Sequence, residues 1–285
     1  MTLGIAPPPR YHDVRSCLVP AGTEAPPAAG LPARLAVLAY GVVAYVATLA
    51  TFAWLAGFVG NVLTPTRLDA PGEGPLGPAL VVDALLVALF AAQHSVMARP
   101  WFKRWWTRAV PEAAERSTYL IFSCAALAAL FAFWRPLGGV VWSLEHPLAR
   151  AGVTGLYAGG WALLLLTTFL INHFDLFGLR QTWLFARGRA YRTLPFRTPL
   201  FYDFVRHPLY VGWLVVFWAA PTMTVAHLVL AAGMTAYILL AIRWEERDLV
   251  DLHPEYAAYR ARTPKFVPRL GTTARRVEFP RDRAG

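Results

Sequence analysis

The feature that most constrains this chain is a series of apolar runs, most of them long enough to cross a lipid bilayer. A helix of about 20 apolar residues spans the roughly 30 Å of bilayer hydrocarbon. Charged residues make up only 15% of the chain, against about 25% in a typical soluble domain, and the mean hydropathy is +0.42. We therefore expect an all-α, polytopic integral membrane protein with five to six transmembrane helices. The expected apolar segments are residues 35–62, 79–97, 119–134, 154–171, 209–220 and 225–242, the last two forming a hairpin with a break at Pro221.

The positive charges are sorted between alternate connections of these segments. Twenty-four of the 27 Lys and Arg residues lie in the N-terminal region, in residues 98–118, in residues 172–207 or after the hairpin. The three exceptions are Arg67, Arg135 and Arg150. Cytoplasmic connections of membrane proteins are enriched in Lys and Arg, so we expect both termini to be cytoplasmic and the protein to lie in a bacterial cytoplasmic membrane. The same sorting accounts for the net charge of +10, so the lipid bilayer is an expected partner and nucleic acid is not. No obligate protein partner is evident.

The composition divides the chain into five regions. We expect a disordered tail rich in Pro and Ala over residues 1–30, a four-helix transmembrane region over 31–171 and a cytoplasmic substrate or lid segment over 172–207. A hairpin and C-terminal cofactor-binding region follows over 208–270, and a basic tail over 271–285. The two cysteines lie far apart in sequence, so neither a disulfide framework nor a cysteine metal site is indicated.

The hairpin brings polar residues together at its two ends. Arg206, His207 and Tyr210 begin its first arm, and Glu245 and Glu246 end its second. Because the chain enters the apolar phase and returns, both ends lie on the same side of the membrane. Ionisable groups at such a position indicate a functional site. The two glutamates are adjacent and point about 100° apart on a helix, so only one of them can face a ligand directly, and the other is expected to pair with Arg243 or Arg247.

This arrangement resembles a known superfamily. The order Arg-His-Pro-x-Tyr-x-Gly (206–212), apolar hairpin, Glu-Glu and Tyr-x-x-Tyr (256–259) is similar to that of isoprenylcysteine carboxyl methyltransferases. Further segments resemble one branch of that superfamily, the methanethiol S-methyltransferases. These segments are Gln93-His94-Ser95-Val96-Met97, Glu115-Arg116-Ser117-Thr118-Tyr119, Trp134-Arg135-Pro136 and Asn172-His173-Phe174-Asp175-Leu176-Phe177-Gly178-Leu179-Arg180-Gln181.

The resemblance implies an S-adenosylmethionine-dependent enzyme of the EC 2.1.1 class that methylates a small thiol, most simply methanethiol to dimethyl sulfide. S-Adenosylmethionine is then the cofactor, and its binding residues are Arg206, His207, Tyr210, Glu245 and Glu246. Two alternatives stay open at this point. The acceptor could be another lipid-soluble group, such as an isoprenylcysteine carboxylate or a different thiol, or the chain could be a non-enzymatic, denitrification-associated membrane protein.

The polar segment after the fourth apolar run is the expected thiol site. His173 and Asp175 are the expected catalytic pair, because an imidazole accepts protons near neutral pH and a carboxylate can orient it. Asn172, Arg180, Gln181 and His94 are the expected substrate-binding residues. A purely structural role, in which this segment only caps helices, is the alternative. The histidines lack the spacing of a metal site, so no metal is expected.

Overall fold

The computed structural model describes residues 29–72, 74–192, 194, 199–252 and 254–268. The tails expected over residues 1–30 and 271–285 lie outside these ranges, except for residues 29 and 30. The helices are α1 (Leu31–Gly60), α2 (Leu76–Met97), α3 (Pro100–Trp106), α4 (Glu112–Phe133), α5 (Pro147–Ile171), α6 (His173–Leu176), α7 (Leu179–Ala186), α8 (Pro208–Trp218), α9 (Val225–Leu252) and α10 (Pro254–Arg262). Two short strands are β1 (Val140–Ser143) and β2 (Thr222–Thr224).

The chain is a multi-pass, all-α membrane protein. Five helices, α1, α2, α4, α5 and most of α9, are long and apolar enough to cross a membrane, and α8 is a shorter apolar helix. The expected hairpin is therefore present, with a first arm of only 11 residues and a second of 28. At about 1.5 Å per residue, α8 is about half as long as a bilayer core is thick, and residues 219–224 connect it to α9.

Local sequence explains where several helices begin and end. Pro100, Pro147 and Pro208 each stand in the first turn of a helix, where the missing N–H needs no partner. The helix α1 ends at Asn61, which adopts the left-handed conformation and returns its N–H to the last turn. The C-terminal end of α4 is capped by Asp83, whose carboxylate accepts a hydrogen bond from the Arg135 N–H at 2.8 Å.

The five long helices extend beyond their expected bounds, and α1 and α2 begin four and three residues early. The expected third and fourth spans begin at Glu112 and Pro147 rather than at 119 and 154, and α9 continues past residue 242 to Leu252. The added turns of α4 and α9 are polar, so hydropathy does not count them. Glu112 and Glu115 are favourable in the first turn of α4 because a helix N-terminus carries partial positive charge. The antiparallel pairing of β1 with β2 was not expected from the sequence.

Helix packing brings the sequence-distant polar segments to one end of the bundle. The basic end, as we call it, is where α1, α4 and α8 begin and where α2, α5 and α9 end; β1 and β2 lie at the opposite end. The helices α5 and α8 form the closest pair. Gly160 and Gly212 allow this, since a Cβ on Gly212 would lie 2.9 Å from the Leu164 side chain. The start of α8 is thereby fixed beside the end of α5.

Candidate functional site

The start of α8 is fastened to α9 by a buried ion-pair cluster. Glu246 Oε1 lies 2.9 Å from Arg206 Nε, 2.8 Å from Arg206 Nη2 and 3.0 Å from His207 Nε2. The Arg206 guanidinium also donates to the carbonyls of Arg260 and Thr263. The backbone N–H of Arg206 donates to the Pro264 carbonyl. This cluster joins the beginning of α8 to the end of α9 and to the residues after α10.

The neighbouring glutamate has a different environment. Glu245 Oε2 accepts a hydrogen bond from the Tyr210 hydroxyl at 3.1 Å. Tyr210 and Glu245 both line a cavity at the basic end, whereas Glu246 does not. Glu245 therefore faces the cavity, and Glu246 joins the helices that form it. The arginine partner of Glu246 is Arg206 rather than the expected Arg243 or Arg247, because the start of α8 packs against the end of α9.

The cavity at the basic end, which we call the polar chamber, has a volume of about 750 Å³. It is lined by charged and aromatic side chains from α2, α3, α4, α5, α6, α8, α9 and α10. The charged and histidine side chains in its lining are His94, Arg99, Lys103, Arg116, His173, Asp175, Arg206, His207, Glu245 and Asp248. Burial of Tyr256 raises the pKa of its phenol, so this lining tyrosine stays protonated at neutral pH. A zwitterionic or nucleotide-sized ligand fits the volume and the mixed charge of this chamber.

The turn after α5 closes one side of the polar chamber. The Asn172 side chain caps the short helix α6 by accepting the Asp175 N–H at 3.1 Å. The Asp175 carboxylate pairs with Arg180 at 2.8 Å and accepts a hydrogen bond from the Tyr191 hydroxyl at 3.1 Å. Burial and the adjacent Asp175 carboxylate raise the pKa of Tyr191. Gln181 donates to the Asp175 backbone carbonyl at 3.1 Å, so these residues form one connected turn.

His173 is buried in this turn, and both of its ring nitrogens are occupied. The Thr168 hydroxyl donates to the Leu165 carbonyl, so its oxygen accepts from His173 Nδ1 at 2.8 Å. This assigns the proton to Nδ1 and leaves Nε2 as the acceptor for the Tyr45 hydroxyl at 2.9 Å. Burial lowers the pKa of the His173 imidazole, which keeps it neutral near pH 7. Asp175 forms no hydrogen bond with this ring.

His94 repeats the same pattern on the facing helix. The Ser123 hydroxyl donates to the Tyr119 carbonyl, and its oxygen accepts from His94 Nδ1 at 3.1 Å. His94 Nε2 then accepts from the Tyr119 hydroxyl at 2.7 Å. Each histidine is thus held between a tyrosine that donates and a small hydroxyl that accepts.

A second cavity, which we call the apolar chamber, lies deeper between the helices. Its volume is about 570 Å³, and its lining comes mainly from Leu, Phe, Ala and Trp residues of α1, α4, α5, α8 and α9. Leu49 on α1 and Leu165 on α5 belong to this lining and are 39% and 53% exposed. The part of the lining between α1 and α5 is therefore accessible.

The two chambers share a wall of eight residues. These residues are His94, Arg116, Tyr119, His173, Leu176, Leu209, Tyr210 and Tyr237. A polar ligand on one side and a small apolar ligand on the other would meet at this shared wall. Such an arrangement can align two reactants for direct group transfer, which by itself lowers a bimolecular barrier substantially.

The structure brings most of the sequence-predicted residues together. His94, Asn172, His173, Asp175, Arg206, His207, Tyr210 and Glu245 line the polar chamber, while Glu246, Arg180 and Gln181 stand behind it and hold its lining residues. Among the residues that the structure describes, no group of three or more His, Cys, Asp or Glu side chains could hold a metal ion.

Sequence reasoning missed several members of the shared wall and its supports. Arg116 and Tyr119 lie in a segment that resembles the family, but neither was predicted as a site residue. Tyr45, Ser123 and Thr168 are hydroxyl-bearing residues within apolar helices, and their contacts with His173 and His94 come from helix packing. No pattern in the sequence pairs them with these histidines.

Comparison with known proteins gives close relatives over most of the chain. It is 49% identical over 239 residues to the methanethiol S-methyltransferase of Crocosphaera subtropica, covering 84% of this chain and 94% of that protein. It is 45% identical over 236 residues to the enzyme of the same name from Mycobacterium tuberculosis, covering 82% and 97%. It is 47% identical over 239 residues to methanethiol S-methyltransferase 2 of Bradyrhizobium diazoefficiens, covering 84% and 92%. No protein-family model matches the chain, and no solved structure does.

Proposed function

Because this chain belongs to the methanethiol S-methyltransferase family, we propose that it transfers a methyl group from S-adenosylmethionine to methanethiol and releases dimethyl sulfide. The observation that carries this proposal is the shared wall. A charged, water-soluble methyl donor suits the polar chamber, a small apolar thiol suits the apolar chamber, and the two ligands meet only where the chambers touch.

The polar chamber fits S-adenosylmethionine in size and charge. When bound, this cofactor supplies a methyl group on a positively charged sulfur. The Glu245 carboxylate and the Tyr210 hydroxyl form a polar pair on the lining, suited to hydroxyl or amino groups of the ligand and attractive to a cation. His207 and Arg206 complete the site from the start of α8. Glu246 acts indirectly by fixing both residues.

The apolar chamber suits a thiol dissolved in lipid. We place its opening between α1 and α5, where the lining residues Leu49 and Leu165 are exposed within apolar helices. Methanethiol can enter there without crossing the polar chamber, and neutral dimethyl sulfide can leave by the same opening. This would account for such chemistry being carried out by a membrane protein.

Methyl transfer needs the thiolate, because the thiol itself is a poor nucleophile. We assign proton acceptance to His173 Nε2, the nitrogen that faces the Tyr45 hydroxyl. Tyr45 lines neither chamber, so it must yield its hydrogen bond or relay the proton. Asp175 keeps the turn in position through Arg180 and Tyr191 and acts as an orienting residue rather than as a direct partner of the imidazole.

The membrane topology follows from the sorting of charges. We propose that the basic end faces the cytoplasm, where S-adenosylmethionine is available, and that the protein lies in the cytoplasmic membrane. Reporter fusions after Arg67 and after Arg180 test this orientation. The first should report the outside and the second the cytoplasm; the reverse pattern would invalidate the topology.

Product formation tests the reaction. Membranes containing the protein, supplied with S-adenosylmethionine and methanethiol, should release dimethyl sulfide, measured by gas chromatography. Calorimetry with purified protein should show S-adenosylmethionine binding that weakens in Tyr210→Phe and survives in Tyr157→Phe, a matched change at the opposite end of the bundle. A chain that binds no S-adenosylmethionine would be a non-enzymatic relative. A chain that binds it but makes no dimethyl sulfide would use another acceptor.

The proposed base has its own kinetic test. A base that acts in the transition state typically contributes about 100- to 10,000-fold to turnover. We expect His173→Ala to bind S-adenosylmethionine normally, to lose kcat by that order and to regain activity as rising pH ionises the thiol. Near-full turnover of His173→Ala would leave this turn with a structural role only.

A further inference from the structure

One charged side chain stands out in the shared wall. Among the described residues that line the apolar chamber, Arg116 is the only one with a permanent charge. The residue is 8% exposed, and no carboxylate of a described residue forms an ion pair with its guanidinium. A buried cation without an anionic partner is costly, so the position calls for an anionic ligand.

The surroundings of Arg116 fix the guanidinium at the wall. Its Nε donates to the Leu176 carbonyl at 2.7 Å, and its Cζ lies 5.2 Å from the centre of the Tyr119 ring. Gly178, with φ +76°, lies against the aliphatic stem: a Cβ there would be 3.1 Å from Arg116 Cβ. The side chain is therefore held from three sides, by α6, α4 and the turn before α7.

We infer that Arg116 binds the thiolate sulfur during methyl transfer, an inference that rests on the proposed function. Guanidinium groups remain charged in proteins and are weakly hydrated, so they suit buried anion recognition. A neighbouring Arg or Lys favours the thiolate over the thiol. In an otherwise apolar chamber, a single cation would hold the sulfur at the wall and leave the alkyl group among Leu and Phe side chains.

The reaction balances with Arg116 in this role. The thiol S–H bond breaks and its proton passes to His173, then to water in the polar chamber. A lone pair of the thiolate, held by Arg116, forms the new carbon–sulfur bond. The bond between the methyl group and the donor sulfur breaks, and its electron pair stays on that sulfur, which becomes a neutral thioether. Arg116 keeps its charge throughout.

A different ligand for Arg116 is the carboxylate of the cofactor, since this residue also lines the polar chamber. The two assignments differ in what is lost on substitution. A thiolate partner affects the Michaelis constant of the thiol and its pH dependence, whereas a carboxylate partner affects cofactor affinity.

Other ionisable groups near Arg116 enter the pH profile and have to be considered with it. They are Glu115 and Tyr119 on α4, His94 on α2, Arg99 just before α3, Lys103 on α3, and His173, Asp175 and Tyr191 in or near the turn that holds α6. The Arg116 charge also acts on His94, Glu115, Tyr119 and Tyr191. A changed pH profile is therefore attributed to the charge of residue 116 only where Arg116→Gln changes it and Arg116→Lys, which keeps the charge, does not.

The test uses full-length protein with Arg116→Gln and Arg116→Lys, and with Arg108→Gln as a matched loss of one exposed arginine at the same end. An opposite charge typically shifts a neighbouring pKa by about 1–3 units. We therefore expect Arg116→Gln to lose roughly 10- to 1,000-fold in kcat/KM for methanethiol at pH 7. It should recover about tenfold per pH unit up to pH 9, with the dissociation constant of S-adenosylmethionine within about twofold of the parent.

The lysine variant keeps the inference testable if Arg116→Gln does not fold. Arg116→Lys retains the charge, so its pH profile should follow the parent, with only a higher Michaelis constant for the thiol. Arg108→Gln should match the parent throughout. A tenfold weaker binding of S-adenosylmethionine in either Arg116 variant, with an unchanged pH profile, would assign Arg116 to the cofactor carboxylate. Unchanged kinetics in both would remove it from the site, and neither result would affect the proposed methanethiol reaction.

Discussion

The adjacent glutamates at the end of α9 should give opposite phenotypes when each is neutralised. Glu246 accepts hydrogen bonds from the nearly buried side chains of Arg206 and His207 and does not line the polar chamber. Removing one partner of a buried ion pair costs about 3–5 kcal/mol. For domains of 150–250 residues, 1 kcal/mol lowers the unfolding midpoint by about 2–4 °C. Glu246→Ala should therefore unfold roughly 10 °C below the parent protein in detergent.

Glu245 should behave in the reverse way. It lines the polar chamber and its one hydrogen bond with a described residue is to Tyr210. Losing a hydrogen bond to a charged group costs about 1.5–3 kcal/mol, which corresponds to roughly 10- to 150-fold in a dissociation constant. Glu245→Gln should thus weaken S-adenosylmethionine binding by that factor with an unfolding midpoint near that of the parent.

Two measurements decide the matter: thermal unfolding without ligand and calorimetric titration with S-adenosylmethionine at a temperature where both variants are folded. Glu246→Gln serves as the conservative control, since it keeps an acceptor oxygen and should lie between Glu246→Ala and the parent in stability. If Glu245→Gln loses stability while Glu246→Ala loses only affinity, the division of work between the two carboxylates is wrong.

Three further results are expected. Burial lowers the pKa of His173 from its usual 6.5, so the base form persists below pH 6.5; the acid limb of the kcat profile should lie under that pH and be absent in His173→Ala. At the opposite end of the bundle, Asp69 accepts hydrogen bonds from Asn61 and Thr224 and pairs with buried His227. Asp69→Ala should lower the free energy of unfolding by about 3 kcal/mol, measured by denaturant titration. The affinity for S-adenosylmethionine should not change. The apolar chamber has a volume of about 570 Å³, whereas an engineered cavity of about 150 Å³ is large enough to hold benzene. Thiols longer than methanethiol should therefore fit. Each buried methylene contributes about 0.8 kcal/mol, so kcat/KM should rise about fourfold per methylene from methanethiol to butanethiol. Cys124→Phe, which fills that chamber, should abolish the rise, and Ala125→Phe on the exposed side of α4 should not; a flat series in the parent would refute the chamber as the thiol site.

Much of the architecture was predictable because it follows from hydropathy and charge. The spans, the short first arm and the meeting of Tyr210 with Glu245 all follow from an apolar hairpin with polar ends. Which of the two glutamates faces the cavity could not be predicted. Their 100° separation indicates that the two side chains point in different directions, but not which of them points inward. That depends on Arg206, which approaches from the side of α10. The strands β1 and β2 could not be predicted, because they are too short to show an alternation of apolar and polar residues in the sequence.

The partners of the histidines could not be predicted for a different reason. Tyr45 and His173 are 128 residues apart, and their contact depends on how α1 packs beside the end of α5. A single hydroxyl in an apolar helix is compatible with the lipid-facing side as well as with the interior. The position of Arg116 could not be predicted either, since an arginine near the start of a membrane helix is typical of an anchor at the membrane surface.

The two chambers have different openings, and this bears on the order in which the reactants arrive. If the polar chamber is reached from the basic end and the apolar chamber from the side, between α1 and α5, neither ligand passes through the space of the other. Occupancy of one chamber would then leave the entrance of the other free. We therefore expect random rather than ordered substrate addition, with each product departing into the phase that dissolves it. Dimethyl sulfide would dilute into the lipid and the spent donor into water, so the products would separate on release.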